Sequence, residues 1–339
     1  MTTKQYDIAI IGAGLAGLTC ARQLQKKGYK TIILDKSRGV GGRVATRRIN
    51  NIPVDHGLPF LEIQGKQTEK LIQKLCQNDI LQPWTGKIYD FNSQKYLPPA
   101  DRYIALQGMT AIAKYLAADL EIQKQSRVTA IAPTPRQTWE LTYDSHKNSE
   151  CLHAKAVIIA IPAPQALALL EPLSANIPTQ ILTQLRSVTF HPCLAVMAGY
   201  SIRYQSDLPQ WQGMRITDDP DLAWIAIESS NKQTEQTVVV LHDTPHHTMH
   251  HLNNTNLQLV GQQLLSRAAN LLLSWLDSPE WFQVHRWRYA RPNRSLEVPY
   301  LATTQPLPLI CCGDWCNGNS VESVLLSGLA SAEKLSEFY

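Results

Sequence analysis

The glycine spacing Gly12-x-Gly14-x-x-Gly17 offers the chemistry of a phosphate-binding turn. Gly12 permits a tight turn, Gly14 lets the backbone approach a pyrophosphate, and Gly17 allows close packing of the following helix. The free N–H groups and the positive dipole end at the start of that helix attract phosphate oxygens. We therefore predict that the whole turn contacts a bound dinucleotide: Gly12, Ala13, Gly14, Leu15, Ala16 and Gly17.

A phosphate-binding turn of this kind needs a strand before it and a helix and a second strand after it, and the flanking residues predict all three. Residues 6–11 are apolar and partly β-branched, which is typical of a buried parallel strand. Residues 15–27 carry an apolar helical face, and Gly28 marks the end of that helix. Residues 31–34 form a second short strand that ends at Asp35, whose carboxylate can accept hydrogen bonds from a ribose diol.

NAD and FAD both bind such a unit, so the segment after Asp35 has to distinguish them. Lys36 follows the acid, and the adjacent glycines Gly41 and Gly42 let the loop pass close to a ligand. The guanidinium of Arg43 can pair with a phosphate or with a carbonyl-rich ring. This extended pattern resembles the flavin amine oxidase superfamily, and the resemblance implies that these residues line FAD. The superfamily usually has Glu where this chain has Asp35.

The length and charge of the chain limit its class. Its 339 residues suggest two domains or one large one. A formal net charge of +4 gives no support to bulk binding of nucleic acid or of an anionic membrane. Five basic residues nevertheless cluster beside the predicted cofactor site and favour phosphate-bearing ligands: Lys36, Arg38, Arg43, Arg47 and Arg48.

The cysteines and the first residues predict a cytoplasmic protein without a metal. Seven scattered cysteines do not form a disulfide framework or paired zinc motifs. The first residues do not read as a signal peptide, and no apolar run approaches the ~20 residues of a membrane span. The run His246-His247-x-x-His250-His251 lacks a nearby acidic ligand, and we predict a solvated loop there.

Motifs further along the chain resemble renalase-like flavoproteins in an unbroken order. The first are Gly41 to Arg48 followed by Val54-Asp55-His56-Gly57, Gln107-Gly108-Met109, and Arg127 to Ile131. The later ones are Val240-Leu241-His242, Trp287-Arg288-Tyr289-Ala290, Gly313-Asp314-Trp315, Val321-Glu322 and Ser327-Gly328-Leu329. The resemblance implies non-covalent FAD, with Val128 on its adenine side and Gly313, Asp314, Glu322 and Ser327 among its contacts.

The C-terminal motif also has a physical rationale of its own. Asp314 follows a strand and can hydrogen-bond a ribityl hydroxyl. A helix that begins near Val321 would direct its positive dipole end at the pyrimidine end of the flavin, which favours reduction. Ser323 stands where the family often has Gly. Attachment through Cys316 is not expected, because the Ser-Gly-Gly-Cys segment of the monoamine oxidases is absent.

Three residues are candidates for the catalytic site. His242 ends an apolar strand and could face the substrate or fill a structural role. Trp287 and Arg288 could supply a flat wall and a cation for an aromatic, phosphate-bearing substrate, or could belong to an interface strand. Glu228 is a further candidate because renalases tend to have a polar residue there.

The order of elements predicts an α/β fold. The resemblance implies a Rossmann-type FAD-binding domain, like that of p-hydroxybenzoate hydroxylase, with an inserted α+β substrate domain. We predict that residues 1–60, 105–165 and 285–339 form the discontinuous FAD domain. Residues 61–104 and 166–284 are then assigned to the substrate domain.

The renalase resemblance implies a specific reaction. The substrates would be the 2- and 6-dihydro isomers of NAD(P)H, oxidised to NAD(P)+ by hydride transfer to flavin N5, with O2 as the electron acceptor and H2O2 as product. Such a donor needs no strong general base, which agrees with the absence of an obvious acid–base dyad. An amine oxidase, a desaturase-like dehydrogenase and a flavin-binding redox sensor with little turnover remain alternatives.

Overall fold

Two large β-sheets organise the chain in the computed structural model, which describes residues 4–145, 148–228 and 236–338. The strands in these residues are β1 (Gln5–Ile11), β2 (Thr31–Leu34), β3 (Thr46–Ile49), β4 (Ile52–Asp55), β5 (Leu61–Glu62), β6 (Gln82–Pro83), β7 (Ile88–Asp90), β8 (Lys95–Tyr96), β9 (Arg102–Ile104), β10 (Ile122–Gln123), β11 (Ser126–Pro133), β12 (Trp139–Ser145), β13 (Asn148–Ile159), β14 (Thr189–Ser201), β15 (Gly213–Arg215), β16 (Leu222–Ile227), β17 (Gln236–Asp243), β18 (Trp281–Arg294), β19 (Leu301–Thr303) and β20 (Leu309–Cys311). The helices are α1 (Leu15–Lys26), α2 (Lys66–Gln77), α3 (Thr110–Ala117), α4 (Ala163–Leu170), α5 (Thr179–Ser187), α6 (Pro245–His251), α7 (Leu257–Leu271) and α8 (Val321–Ser336).

The first sheet carries the predicted phosphate turn. Strands β10, β2, β1 and β13 run parallel, and β20 extends this parallel part beside the end of β13. Side chains of β1 alternate between two cores: Ile8 and Ile10 pack on the side of α1 and α8, while Ala9 and Ile11 pack on the other side. Burial of both faces explains why β1 reads as a continuous apolar run.

The second sheet is antiparallel along most of its length, in the order β18-β14-β17-β16-β15-β7-β8. Alternate residues of β14, such as Leu194 and Val196, pack with Val260 and Leu264 of α7 on one face. The opposite face of this sheet is directed towards the end of β4 and borders the cavity described below. The sheet therefore contributes one apolar face to a core and leaves the other for a site.

The α/β architecture predicted from the sequence is confirmed. The division into an FAD domain and a substrate domain stays a prediction, and two features of the sheets bear on its boundaries. All of β18 belongs to the second sheet, so a boundary at residue 285 would divide one strand. Helices α2, α4 and α5 pack against the first sheet, although the predicted substrate domain includes nearly all of their residues.

The predicted loop over His246 to His251 is wrong, because α6 occupies it. Thr244 caps this helix by accepting a hydrogen bond from the His247 N–H at 3.1 Å. The His247 ring lies 2.8 Å from Asp243 Oδ2, so this histidine stabilises the start of the helix. Among the described residues, His, Cys, Asp and Glu side chains form no cluster of three or more suited to a metal ion.

No helix within residues 4–145, 148–228 and 236–338 combines the length and apolar character needed to cross a membrane.

Candidate active site

A cavity of about 1460 Å³ extends from the phosphate turn to the second sheet. Ligand pockets usually measure roughly 300–1,000 Å³, so this one has room for a large cofactor together with a small substrate. Its lining includes most of the predicted cofactor residues: Gly12, Gly14, Leu15, Ala16, Asp35, Lys36, Gly41, Gly42, Arg43, Val128, Gly313 and Asp314.

The three glycines of the phosphate turn differ in what limits their side chains. A Cβ on Gly12, whose φ is +107°, would lie 2.6 Å from the Ala160 carbonyl oxygen. A Cβ on Gly17 would lie 2.1 Å from the Gly12 carbonyl oxygen, because α1 packs directly on the turn. A Cβ on Gly14 meets no protein atom within 4 Å, so this residue leaves open space at the start of α1. Gly12 and Gly17 are therefore in close contact with protein backbone, whereas Gly14 faces open space.

The Gly-Gly loop crosses next to this opening. The Gly41 N–H donates to the Ala13 carbonyl at 2.8 Å, and a Cβ on Gly42 would lie 3.6 Å from Gly14 Cα. Both glycines have positive φ, at 115° and 58°, which side chains disfavour. Two backbone segments therefore border the same space without any side chain between them.

The Asp35 carboxylate, directly after β2, binds backbone N–H groups of the phosphate turn and of the following loop. Its Oδ2 accepts the Ala13 N–H at 2.7 Å and its Oδ1 accepts the Ser37 N–H at 2.7 Å. A carboxylate has about four acceptor positions, so each oxygen keeps capacity for a ribose hydroxyl. Lys36 and Val128 line the cavity beside it.

Arg43 and Asp314 bind each other across the cavity. The guanidinium donates to both carboxylate oxygens, with the Nη2 to Oδ1 distance at 2.8 Å, and also reaches the Ala290 carbonyl. Asp314 is buried at 7% exposure. The sequence motifs predict a cofactor contact for each residue but do not reveal this bidentate pair, which joins the Gly-Gly loop to the strand end at Gly313.

Four predicted cofactor residues lie outside the cavity lining: Ala13, Gly17, Glu322 and Ser327. Ser327 accepts the Gly313 N–H at 3.1 Å and donates to the Pro299 carbonyl at 2.7 Å, so it supports the turn at Gly313. Glu322 accepts the backbone N–H groups of Gln67 and Thr68 at 3.0 and 2.7 Å, so its carboxylate caps α2. In this structure Ser327 and Glu322 hold protein segments together and make no contribution to the cavity surface.

A row of side chains on the second sheet forms the far wall of the cavity. His285 pairs with Ala195, Ala195 with His242, and His242 with Trp224 across four neighbouring strands. Directly paired residues point to the same face of a sheet. Ala195 is the small member of the row, and the other three residues line the cavity.

His56 completes this wall, although it is not among the site residues predicted from the sequence. Its ring stacks on Trp287 with centroids 5.4 Å apart and meets the edge of His285 at 4.9 Å. The His56 carbonyl accepts the Trp287 indole N–H at 3.0 Å. The signal for His56 was its place in the quoted Val54-Asp55-His56-Gly57 motif. A Cβ on Gly57 would lie 2.0 Å from the Arg43 carbonyl, so this motif packs tightly on the Gly-Gly loop.

Trp287 and Arg288 do not act on the same side of β18. Trp287 faces His56, whereas the exposed Arg288 donates to the Asn253 side chain at 3.1 Å, and both residues border the cavity. Glu228 is buried and accepts the Asp55 N–H at 3.4 Å, away from the lining. The catalytic roles of His242, Trp287 and Arg288 stay predictions.

Comparison with known proteins identifies the family. The model of the NAD(P)-binding Rossmann-like domain matches residues 10–75, and the model of the flavin-containing amine oxidoreductases matches residues 85–336. The second match covers most of the chain. The chain belongs to the flavin-containing amine oxidoreductase family.

Individual relatives of this flavoprotein match over short segments. Pseudooxynicotine dehydrogenase from Pseudomonas sp. is 40% identical over 52 residues, which is 15% of this chain and 10% of the relative. Lysine-specific histone demethylase 1 homolog 3 from Arabidopsis thaliana is 49% identical over 58 residues, which is 17% of this chain and 4% of the relative.

Solved structures share the fold along the whole flavoprotein. Wild-type putrescine oxidase, bound to putrescine, has a TM-score of 0.71 at 12% identity, covering 99% of this chain and 100% of its own. Cyclohexylamine oxidase from Brevibacterium oxydans has a TM-score of 0.70 at 13% identity, with 99% of both chains covered. At these identities the likeness concerns the fold.

FAD is the cofactor of this flavoprotein, and the open space at Gly14 fits its pyrophosphate. The first N–H groups of α1 and the loop at Gly41 and Gly42 would hold the phosphates, and Asp35 would accept from the adenosine ribose. The family model shows that the chain belongs to the flavin-containing amine oxidoreductases. The renalase-like subtype within this family stays a prediction.

The C-terminal cysteines Cys311, Cys312 and Cys316 are buried in packing positions. Cys311 and Cys312 lie in the cores on opposite faces of the first sheet, as predicted from their adjacency in a strand. Burial raises the pKa of Cys316 well above its usual value, which is the opposite of a reactive thiol. Non-covalent FAD stays a prediction.

The imidazoles of the far wall are held neutral. Burial lowers the pKa of His56 to about 3, and the nearby His285 and Arg47 act in the same direction. Burial, assisted by Arg47, lowers the pKa of His285 to about 4. Burial also lowers the pKa of His242. At neutral pH these rings offer one donor and one acceptor each and carry no charge.

We expect the stability of the flavoprotein to fall as the pH drops from about 6.5 towards 4. In this window the unfolded chain protonates His56 and His285, while the folded chain, with lowered pKa values, does not. The check is urea unfolding of the apoprotein at several pH values. Replacing His285 with Gln should remove about 1 kcal/mol per pH unit of this slope.

The matched control for this measurement is His250→Gln, because His250 is exposed on α6. The control should keep the slope of the native protein. Equal slopes for the His285 and His250 variants would mean that His285 is protonated in the folded state, and the neutral wall would then be wrong.

Proposed function

We propose that the protein oxidises 2- and 6-dihydro isomers of NAD(P)H to NAD(P)+, with O2 as acceptor. The balance is one dihydronicotinamide, one O2 and one proton giving NAD(P)+ and H2O2. Bound FAD would supply the hydride acceptor and the two-electron chemistry that links this oxidation to O2. The chain's own residues have to bind an anionic dinucleotide, orient its ring and exclude water.

The charge at the substrate end of the cavity is the observation that carries this proposal. Arg47 and Arg291 border it, and no carboxylate of the described residues forms an ion pair with either of them. The guanidinium groups of Arg286 and Arg288 lie on the other face of β18 and donate to Leu252, Asn253 and Asn254. Arg47 is held by neutral groups, the Gln283 amide at 3.0 Å and the His285 ring. Uncompensated guanidinium groups favour a phosphate-bearing substrate and disfavour a cationic amine.

The walls of the same space suit a flat ring. Phe60 and Trp224 meet edge to face at 6.2 Å, and both line the cavity together with Trp287. Aromatic side chains and neutral imidazoles can enclose a dihydropyridine without adding charge next to it. Hydride transfer from a dihydropyridine removes no amine proton, so a wall of neutral imidazoles with lowered pKa is compatible with it.

The proposal predicts which donors reduce the enzyme. Under anaerobic conditions, 2- and 6-dihydro-NAD(P) should bleach the visible flavin band within one turnover, because their phosphates bind the arginines and their hydride needs no base. Stopped-flow absorbance measures this. The ordinary 4-dihydro isomer is the matched donor control, since it has the same charge and rings.

Other outcomes decide between the alternatives. Bleaching by putrescine or cyclohexylamine, with none by the dihydronicotinamides, would contradict the proposal and support amine oxidation, the activity after which the two structural neighbours are named. Bleaching by a saturated hydride donor alone would support a desaturase-like dehydrogenase. Bleaching by none of these donors would support a flavin-binding redox sensor.

A further inference from the structure

The Arg47 side chain places a cation on the cavity wall and is held there by uncharged partners. It reaches from β3 to β18, where Nη1 donates to the Gln283 amide oxygen at 3.0 Å and Nη2 lies 3.4 Å from His285 Nδ1. A guanidinium can only donate, so both partners are acceptors. These bonds use two of the five N–H groups of a guanidinium, and the other three remain for a ligand. Arg47 is half-buried and lines the cavity.

Arg38 supplies a second cation close to the first. It lies exposed in the loop between β2 and the Gly-Gly segment and lines the same cavity. Burial lowers the pKa of Arg47, and the charge of Arg38 acts in the same direction, as expected for neighbouring cations. Two cations beside one open space repel each other, and an anion bound between them would remove this cost.

The carboxylates of the cavity do not supply this anion. Among the described residues, the lining contains three carboxylates, all of which have other partners: Asp35, Asp243 and Asp314. In the same part of the chain, no ion pair joins Arg38 or Arg47 to any carboxylate. A half-buried cation that is not neutralised by the protein favours an anionic ligand.

Arg47 lies at a different end of the cavity from the turn to which the FAD pyrophosphate is assigned. Its partner His285 belongs to the second sheet, and the His285 ring meets the Trp287 ring at 4.2 Å and the His56 ring at 4.9 Å. A phosphate bound to Arg47 would therefore belong to a molecule that also reaches this aromatic wall. That position suits the substrate.

We propose that Arg38 and Arg47 form a second phosphate subsite in the cavity, which binds the pyrophosphate of the substrate. The inference rests on the proposed function, since a dihydronicotinamide dinucleotide carries these phosphates together with a flat ring. The Arg47 guanidinium is oriented beforehand by Gln283 and His285, so little side-chain freedom is lost when the anion binds. The subsite makes Arg47 a specificity-determining residue.

Calorimetric titration of the holoprotein with ligands of different phosphate content tests the subsite without turnover. Nicotinamide riboside has no phosphate, nicotinamide mononucleotide has one and NAD+ has two. Arg47→Gln should weaken NAD+ roughly tenfold, as expected for a lost charge-assisted hydrogen bond, and leave nicotinamide riboside unchanged. Arg47→Lys keeps the charge without the planar fork and should lose less affinity. The FAD content of both variants should equal that of the native protein.

Arg136→Gln is the matched control, because it removes the same charge from an exposed turn between β11 and β12, outside the cavity lining. This variant should bind all three ligands like the native protein. Equal native affinities for NAD+ and nicotinamide riboside would overturn the subsite, and so would native NAD+ affinity in Arg47→Gln. An equal loss for nicotinamide riboside would assign Arg47 to the shape of the wall, and a loss of FAD would assign it to the cofactor; either result contradicts the proposal.

Failure of the subsite and failure of the proposed function give different results. If dihydronicotinamide isomers reduce the flavin but Arg47→Gln binds NAD+ like the native protein, the subsite is wrong and the proposed function stands. If no isomer reduces the flavin while ADP-ribose still binds more tightly than adenosine, with a preference lost in Arg47→Gln, the subsite stands and the substrate is another phosphate-bearing molecule.

Discussion

Gly14→Val protein should fold normally and purify without FAD. Residue 14 has φ −76° and ψ 177°, which any side chain adopts, and a Cβ there meets no protein atom within 4 Å. The valine methyl groups would enter the space in front of the first turn of α1, where the pyrophosphate has to lie against backbone N–H groups. A steric conflict of a few kcal/mol lowers FAD affinity by at least about a hundredfold. The ratio of flavin to protein absorbance and an FAD titration of the apoprotein measure the effect.

Two further variants make this result specific to the pyrophosphate position. Gly14→Ala carries a smaller group and should lose less affinity. Gly39→Ala lies in the neighbouring loop, is exposed and also meets no atom within 4 Å, so it should keep its FAD. Native FAD content in the valine variant, with an unchanged circular dichroism spectrum, would show that the phosphates bind elsewhere.

Local chemistry explains how much of the cofactor end could be predicted from the sequence. The turn from Gly12 to Gly17 works through contacts between residues that are close in sequence, such as the Gly17 approach to the Gly12 carbonyl. The apolar run of β1 reports burial on both faces directly. Helix α6 also had a local signal, Thr244 followed by Pro245, which is a helix start that the histidine-rich composition obscured.

Pairings between distant residues could not be predicted in this way. Glu322 stands at the expected place in its motif, but its carboxylate is used by the start of α2, more than 250 residues earlier in the chain. His56 and Trp224 reach the same wall only because β4 and the second sheet meet there. Residue types and spacing in a single sequence do not reveal which strands become neighbours in the fold.

The bidentate pair between Arg43 and Asp314 is the clearest of these long-range contacts. We expect Arg43→Met to lower the free energy of unfolding of the apoprotein substantially. The variant leaves a carboxylate that is 7% exposed without its cation. Breaking a buried ion pair typically costs about 3–5 kcal/mol. The Arg43 side chain is 33% exposed, so water reaches the site and about 2 kcal/mol is expected. Urea unfolding of the apoprotein measures this loss.

A double-mutant cycle separates the pair from the packing of the arginine. Asp314→Asn removes the buried charge, so Arg43→Met should cost much less in the Asp314→Asn background than in the native one. Arg186→Met is the matched control, because its ion pair with Glu171 is half exposed on both sides and should contribute less than about 1 kcal/mol. If Arg43→Met and Arg186→Met cost the same, the pair would add nothing to stability. A coupling of about 1 kcal/mol or more, on the order found for neighbouring charges, would instead mean that the junction between the Gly-Gly loop and the Gly313 strand end is built before FAD binds.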